Sequence, residues 1–112
     1  MSIKKVNILE NIEYGDDKPL IGVLLNTNSV KEVRIVFKKG QQMKEHQAPG
    51  PIAVEVVEGI IDFGVAGQRH NLDKGSLIAL EAAVPHDLIA LQDSIVRLSI
   101  HKTGDAATVH SL

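Results

Sequence analysis

Cysteine and tryptophan are absent from this chain of 112 residues, and it has only one Tyr and two Phe. Without cysteine there is no disulfide framework, no thiolate metal site and no cysteine nucleophile, which is typical of a reducing compartment. Scarce aromatic rings and a formal net charge of -2 leave neither a base-stacking platform nor a basic surface for nucleic acid. We therefore expect a cytoplasmic protein that does not bind DNA or RNA.

Long hydrophobic runs are missing as well. No stretch approaches the ~20 apolar residues of a membrane-spanning helix, and the basic start of the chain has no apolar run behind it. We expect a soluble protein with no membrane partner and no export signal. A chain of this length can bury roughly 65% of its unfolded surface as one domain, so it needs neither metal nor disulfide to hold a core.

What the sequence does contain is one short strand pattern after another. Val33, Ile35 and Phe37 alternate along one face, and two runs rich in β-branched residues are separated by Gly59 and followed by a turn at Ala66-Gly67. Short strands at this regular spacing predict an all-β sandwich or barrel. The predicted strands cover residues 20–25, 32–38, 52–58, 60–65, 68–72, 76–80, 87–91 and 94–102.

Helical character is confined to Asn7 to Ile12, with Asn7 as N-cap and Glu10 three residues later. The segment is too short to be a stable helix by itself, so we expect one helical turn packed across a barrel end. Residues 1–32 would then supply N-terminal strands and this turn to the same domain as a barrel over residues 33–102. Residues 103–112 are predicted to be a flexible tail.

Residues 40–59 resemble the first of two sequence motifs of the cupin family. Gly40 and Gly59 bracket the segment at the family's spacing, and His46 stands at the first histidine position. Ala48 replaces the second histidine and Ile52 replaces the glutamate. Both departures fall on metal-ligand positions, whereas the glycine positions are kept.

Residues 75–90 are similar to the second cupin motif. Gly75 and His86 match it, whereas Glu81, Ala83 and Ala90 stand where the family has Pro, Gly and Asn. With the flanking strands, the resemblance covers nearly the whole chain. It implies a small single-domain cupin of the RmlC-like type: an all-β, antiparallel barrel or jelly roll with at most a short N-terminal helical turn.

The resemblance also implies a metal site, in a reduced form. In the family, three imidazoles and a carboxylate hold one divalent Fe, Mn, Ni, Zn or Cu ion with open coordination positions. Here His46 and His86 are the two metal ligands that remain, so we expect at most a weakly held divalent ion. We also expect the partial site to lack the hydrogen-bond acceptors that fix imidazole tautomers.

Candidate ligand-binding residues flank the two histidines or point into the barrel beside them. Gln41 could donate to a ligand oxygen, and Met43 could form a soft apolar wall. Of the other histidines, His70 is predicted to be solvated and His101 to face outward. No catalytic acid–base pair is recognised. The candidate ligand-binding residues are Gln41, Met43, His46, Ala48, Ile52, Val54 and His86.

Three functions remain open. The favoured one is a cupin that binds a small organic ligand inside an apolar barrel through His46 and His86. The second is a metal-dependent dioxygenase or isomerase, in which solvent or a residue such as Gln41, Gln47 or His101 completes the metal shell. The third is a structural or regulatory module that acts through a partner.

The resemblance further implies a homodimer. Residues 20–25 form an apolar strand outside the two motifs, and Ala53 and Val57 place apolar side chains on the outer face of a motif strand. A symmetric pairing of two copies would cover them.

Overall fold

Nine strands in the described part of the chain form two facing antiparallel sheets. The structure, a computed structural model, describes residues 3–102. One sheet has the strand order β1-β2-β9-β4-β7 and the other β3-β8-β5-β6, which together make a jelly-roll barrel. The all-β prediction is confirmed, and no helix in the described part of the chain could span a membrane. The strands are β1 Leu20–Asn26, β2 Val30–Phe37, β3 Gln42–His46, β4 Ile52–Glu58, β5 Ile60–Val65, β6 Gln68–Asp73, β7 Leu77–Leu80, β8 His86–Ala90 and β9 Ser94–His101.

The predicted strands are all present, with shifts of one or two residues at their ends. β4 and β5 have the predicted bounds, and Gly59 separates them with a φ of 92°. β3 was not predicted as a strand, because Gln42–His46 has no β-branched residue; it forms by pairing with β8. The predicted flexible tail lies outside the described residues.

The core lies between the inner faces of the two sheets. Alternation along β2, β4 and β9 points apolar side chains inward, where they meet Phe63 and Leu88 from the opposite sheet. Side chains therefore fill the interior of this small barrel. The buried core comprises Val33, Ile35, Phe37, Ile52, Val54, Val56, Ile61, Phe63, Leu88, Ala90 and Val96.

The barrel end near the β2–β3 loop is closed by side-chain hydrogen bonds. Gln41 Nε2 donates to Gly15 O at 2.8 Å, and the Lys38 N–H donates to Gln41 Oε1 at 2.9 Å. Gly15 is buried, and a Cβ there would collide with Lys18 O. The segment around Gly15 is therefore the part of the N-terminal region that packs beside this loop.

The segment predicted to be a helical turn forms a hydrogen-bonded turn without a helix. The Leu9 N–H donates to Asn7 Oδ1 at 2.9 Å, and the Glu10 N–H donates to Asn7 O at 3.1 Å, so Asn7 does cap the turn. The predicted place across a barrel end is wrong. The turn lies on the outer face of β2, where it meets Arg34.

Arg34 explains why the turn lies there. Its guanidinium donates to Ile8 O, Glu10 O and Asn11 O at 2.9, 2.8 and 3.3 Å. Arg34 pairs directly across from Arg97 of β9, and like charges in that arrangement repel. The turn's carbonyl oxygens provide Arg34 with acceptors on the side away from Arg97.

Candidate functional site

The two motif histidines meet at one end of the barrel. β3 and β8 pair so that His46 lies directly opposite His86, and both point to the inner face. Their ring centroids are 4.4 Å apart, with the planes tilted by 60°. The strand pairing thus brings together two residues that are 40 positions apart in the sequence. This end is called the His end below.

Each histidine ring is held by a carbonyl oxygen of its own strand or loop. His46 Nδ1 lies 2.7 Å from Lys44 O, and His86 Nδ1 lies 3.0 Å from Val84 O. A carbonyl oxygen can only accept, so both Nδ1 atoms carry a proton, and the neutral form of each ring has its lone pair at Nε2. The expectation that the tautomers lack fixing acceptors is wrong, because the backbone two residues earlier supplies them.

His86 is buried against the core. Only 3% of it is exposed, and its ring stacks on Phe63 with centroids 5.7 Å apart and planes 10° from parallel. Burial lowers the pKa of His86 below its ordinary value, and the nearby His46 ring lowers it further. The hydrogen bond to Val84 O acts in the opposite direction but does not outweigh burial. His86 is therefore neutral at pH 7.

This lowered pKa predicts a loss of stability in mild acid. The unfolded chain binds a proton at His86 more readily than the folded chain, so the free energy of unfolding falls as the pH drops below about 6.5. Urea midpoints at about pH 7.5 and about pH 5.5 should differ more in the wild type than in His86→Phe, which keeps a stacking ring without a titrating group. An equal drop in the two proteins would contradict the assignment.

The remaining predicted lining residues are spread along the barrel. Ile52 and Val54 are buried in the core, and Met43 and Ala48 pack against it. Gln41 lies at the opposite end, where its amide is already hydrogen-bonded. Of these five, Ile52 begins β4 at the His end, and Ala48 lies in the loop beside it. The available site is therefore the barrel end rather than a deep interior cavity.

Lys31 also lies at the His end, on the inner face of β2, and the sequence analysis did not identify it. It pairs with Ile100 on the inner face, and Ile100 pairs in turn with Ile52 of β4. Lys31 extends the alternation of Val33, Ile35 and Phe37 by one step, but the predicted strand began at Glu32. That alternation was the available signal for Lys31.

Two loops meet beside the histidines. The Ala83 N–H donates to Ala48 O at 2.8 Å, which joins the β7–β8 loop to the β3–β4 loop. Ala83 has a φ of 64°, a left-handed conformation that favours glycine. It stands at the position where the second cupin motif has Gly, the residue that this conformation favours.

The same fold is found in solved structures. An RmlC-like cupin protein from Desulfovibrio desulfuricans superposes with a TM-score of 0.82 and 24% identity, over 89% of this chain and 97% of that one. KdgF from Halomonas sp. gives a TM-score of 0.78 and 18% identity, over 96% and 99%. This chain has the cupin fold. A protein of unknown function from Streptococcus pyogenes, SPY1581, gives 0.78 and 20% identity, over 93% and 91%.

The chain matches no protein-family model and no curated protein. The solved structures therefore establish the fold, and the chemistry of this chain depends on its own residues.

A metal centre of the four-ligand cupin type does not fit these residues. Within residues 3–102 no group of three or more His, Cys, Asp or Glu side chains could hold a metal ion. His101 is exposed and shares the outer face with Arg97, as predicted, and Gln41 is at the far end. Neither can complete a shell with His46 and His86.

His70, on β6, is less exposed than predicted. His70 pairs with Phe63 and shares its inner face, where it is half-buried rather than solvated. The prediction placed it on a hairpin arm and could not foresee that the arm's inner side rests on Phe63.

A surface cleft lies behind the His end, on the outer side of the β5–β6 hairpin. It has a volume of about 280 Å³ and includes Glu45 and Pro85, the residues that precede the two histidines. Arg69 crosses Gly64 there and donates to Asp87 Oδ1 at 2.8 Å and to Asp62 Oδ1 at 3.0 Å. These hydrogen bonds raise the pKa of Arg69. With its guanidinium bridging two carboxylates, Arg69 stabilises the hairpin.

Proposed function

We propose that this cupin binds a small organic ligand at the His end, where His46 and His86 orient the ligand's polar part. The observation that carries the proposal is a pair of imidazoles whose centroids lie 4.4 Å apart, each held at Nδ1 by a backbone carbonyl. Apolar side chains surround them and would contact the rest of the ligand. The half-buried apolar residues at this end are Ala48, Val65, Leu80 and Ile100.

Burial of the rings also supports a binding role. Within residues 3–102 every buried side-chain nitrogen or oxygen has a hydrogen-bond partner. His86 Nδ1 bonds to Val84 O, but the described residues provide no partner for His86 Nε2. Its small exposed area therefore includes Nε2. A ligand at the His end would contact this atom there.

A weakly held divalent metal is the second candidate, and the two Nε2 atoms again favour it. Imidazole nitrogens bind Fe, Mn, Ni, Zn and Cu, and these rings already have the tautomer that metal binding requires. Two protein ligands leave most of the coordination sphere to water, so such an ion would exchange readily. In this case His46 and His86 would bind the metal ion, and they would also orient a ligand as in the first candidate.

Ligand-observed NMR on a small-fragment mixture tests the first candidate, with elemental mass spectrometry on the same untagged protein for the second. We expect fragments whose saturation transfer is lost in the His46→Ala/His86→Ala double variant. The matched control is His70→Ala/His101→Ala, which removes two histidines away from the pair and should keep those signals. The ligand-binding proposal would be overturned if the fragments bind all three proteins equally, or if no fragment binds the wild type.

We also propose that a second copy of this chain is a partner. Ile21 and Val23, on the inner side of edge strand β1, are 61% and 57% exposed, and Leu77 on the outer side of β7 is 67% exposed. A symmetric dimer would bury such surfaces on both copies. Light scattering during size-exclusion chromatography should give twice the protomer mass at micromolar concentration; the protomer mass would refute the dimer.

A further inference from the structure

We propose that Lys31 is a third binding residue at the His end and that the ligand is a small carboxylate which also carries a hydroxyl group. The inference rests on the proposed ligand-binding function and specifies its substrate class. In this arrangement the Lys31 ammonium binds the carboxylate, and the hydroxyl donates its hydrogen to His86 Nε2.

The strand register places Lys31 at the level of the histidines. On the inner face, Lys31 of β2 pairs with Ile100, and Ile100 pairs with Ile52 at the start of β4. β4 follows His46 through the short β3–β4 loop, so this layer and the histidines occupy the same end of the barrel. β2 also continues into β3 through a short loop, which puts these two strands on the same side of the barrel.

The charge of Lys31 is not compensated by the protein. Its side chain is half-buried, yet among residues 3–102 no carboxylate lies within ion-pair distance of it. Lys102, another cation at this end, also lacks a carboxylate, but its Nζ donates to Asn26 Oδ1 at 2.6 Å and to Thr27 O, whereas Lys31 Nζ has no hydrogen-bond acceptor among residues 3–102. An ammonium that no carboxylate neutralises keeps its affinity for an anion.

The histidines complement this cation. Their Nδ1 atoms donate to backbone carbonyls, so the neutral form of each ring has only its Nε2 lone pair to offer a ligand. A ligand carboxylate is itself an acceptor and cannot bond to them, whereas a hydroxyl hydrogen can. Acceptors on one side and a cation on the other therefore select a molecule that has both an acid group and a hydroxyl.

Three probes with one ring separate these contributions: 2-hydroxycyclohexanecarboxylate, cyclohexanol and cyclohexanecarboxylate. Binding is followed by shifts of backbone amide and histidine ring resonances at the His end. We expect the hydroxy acid to bind the wild type at least tenfold more tightly than either single-group probe, because it makes a charge-assisted contact and a hydrogen bond together.

Lys31→Met should weaken binding of the hydroxy acid by about tenfold and leave the affinity for cyclohexanol unchanged, since the substitution keeps the apolar stem and removes the charge. Lys39→Met, at an exposed lysine of the β2–β3 loop at the opposite end of the barrel, is the matched control and should change neither affinity. His86→Phe should remove the advantage that the hydroxyl gives.

The two levels of the proposal fail differently. The role of Lys31 is overturned if cyclohexanol shifts the His-end resonances but the carboxylate adds no affinity. It is also overturned if Lys31→Met binds the hydroxy acid as tightly as the wild type does. In both cases ligand binding at the His end stands. If none of the three probes shifts those resonances, ligand binding at this end is overturned together with the inference.

Discussion

Replacing Gly59 by Ala will lower the free energy of unfolding by about 3–5 kcal/mol, from left-handed backbone strain and overpacking together. Gly59 has a φ of 92°, and a Cβ there would overlap Ser94 Oγ and lie 2.5 Å from Asp93 O. Ser94 is fully buried and accepts a hydrogen bond from the Ile60 N–H at 3.1 Å, so it cannot move away. Urea unfolding followed by circular dichroism measures the loss.

Gly75→Ala is the matched control for this prediction. Gly75 also has a φ of 92°, but nothing lies within 4 Å of the position of an added Cβ. The control carries the backbone strain alone and should cost about 1–2 kcal/mol. Equal losses in the two variants would show that the contact with Ser94 contributes nothing, and that only the backbone conformation requires glycine at residue 59.

Truncating Phe63 to Ala will cost about 3–5 kcal/mol of stability, as expected for a large ring removed from a packed core. It will also change the histidine site. Phe63 is fully buried and stacks on the His86 ring, so its loss leaves one face of the imidazole without a neighbour. Chemical denaturation gives the stability, and the His86 ring resonances report the change at the site.

Phe37→Ala separates these two effects. Phe37 is equally buried but pairs with Ser94, away from the His end, so it should lose similar stability with unchanged His86 resonances. If both variants shift the His86 signals alike, the stack on Phe63 is not what holds that ring.

The fold could be predicted from the sequence because its signals are local. Alternation and turn residues lie within a few positions of each other, so β4 and β5 have the predicted bounds. β3 lacked such a signal, since its residues become a strand only through pairing with β8, about forty positions later. The turn at Asn7 was recognised, but its place depends on Arg34, more than twenty positions away.

The candidate site could be predicted in part. Motif spacing identified His46 and His86 as partners, and the register of β3 and β8 brings them together. Their tautomers could not be foreseen, because every residue has a backbone carbonyl and the sequence does not show which one a histidine ring will contact. Gln41 was assigned to the ligand, but its amide is bound to Gly15 O across the fold. Such long-range hydrogen bonds depend on tertiary structure and leave no mark on local patterns.

The central position of β9 has a consequence for synthesis. β9 is the last of the nine strands along the described chain, yet it lies in the middle of its sheet, between β2 and β4. A ribosome releases β2 and β4 before Ser94–His101, so until then each has an unpaired edge where β9 will bind. The larger sheet must close in one late step after translation of β9, and the nascent chain needs protection from aggregation until that moment.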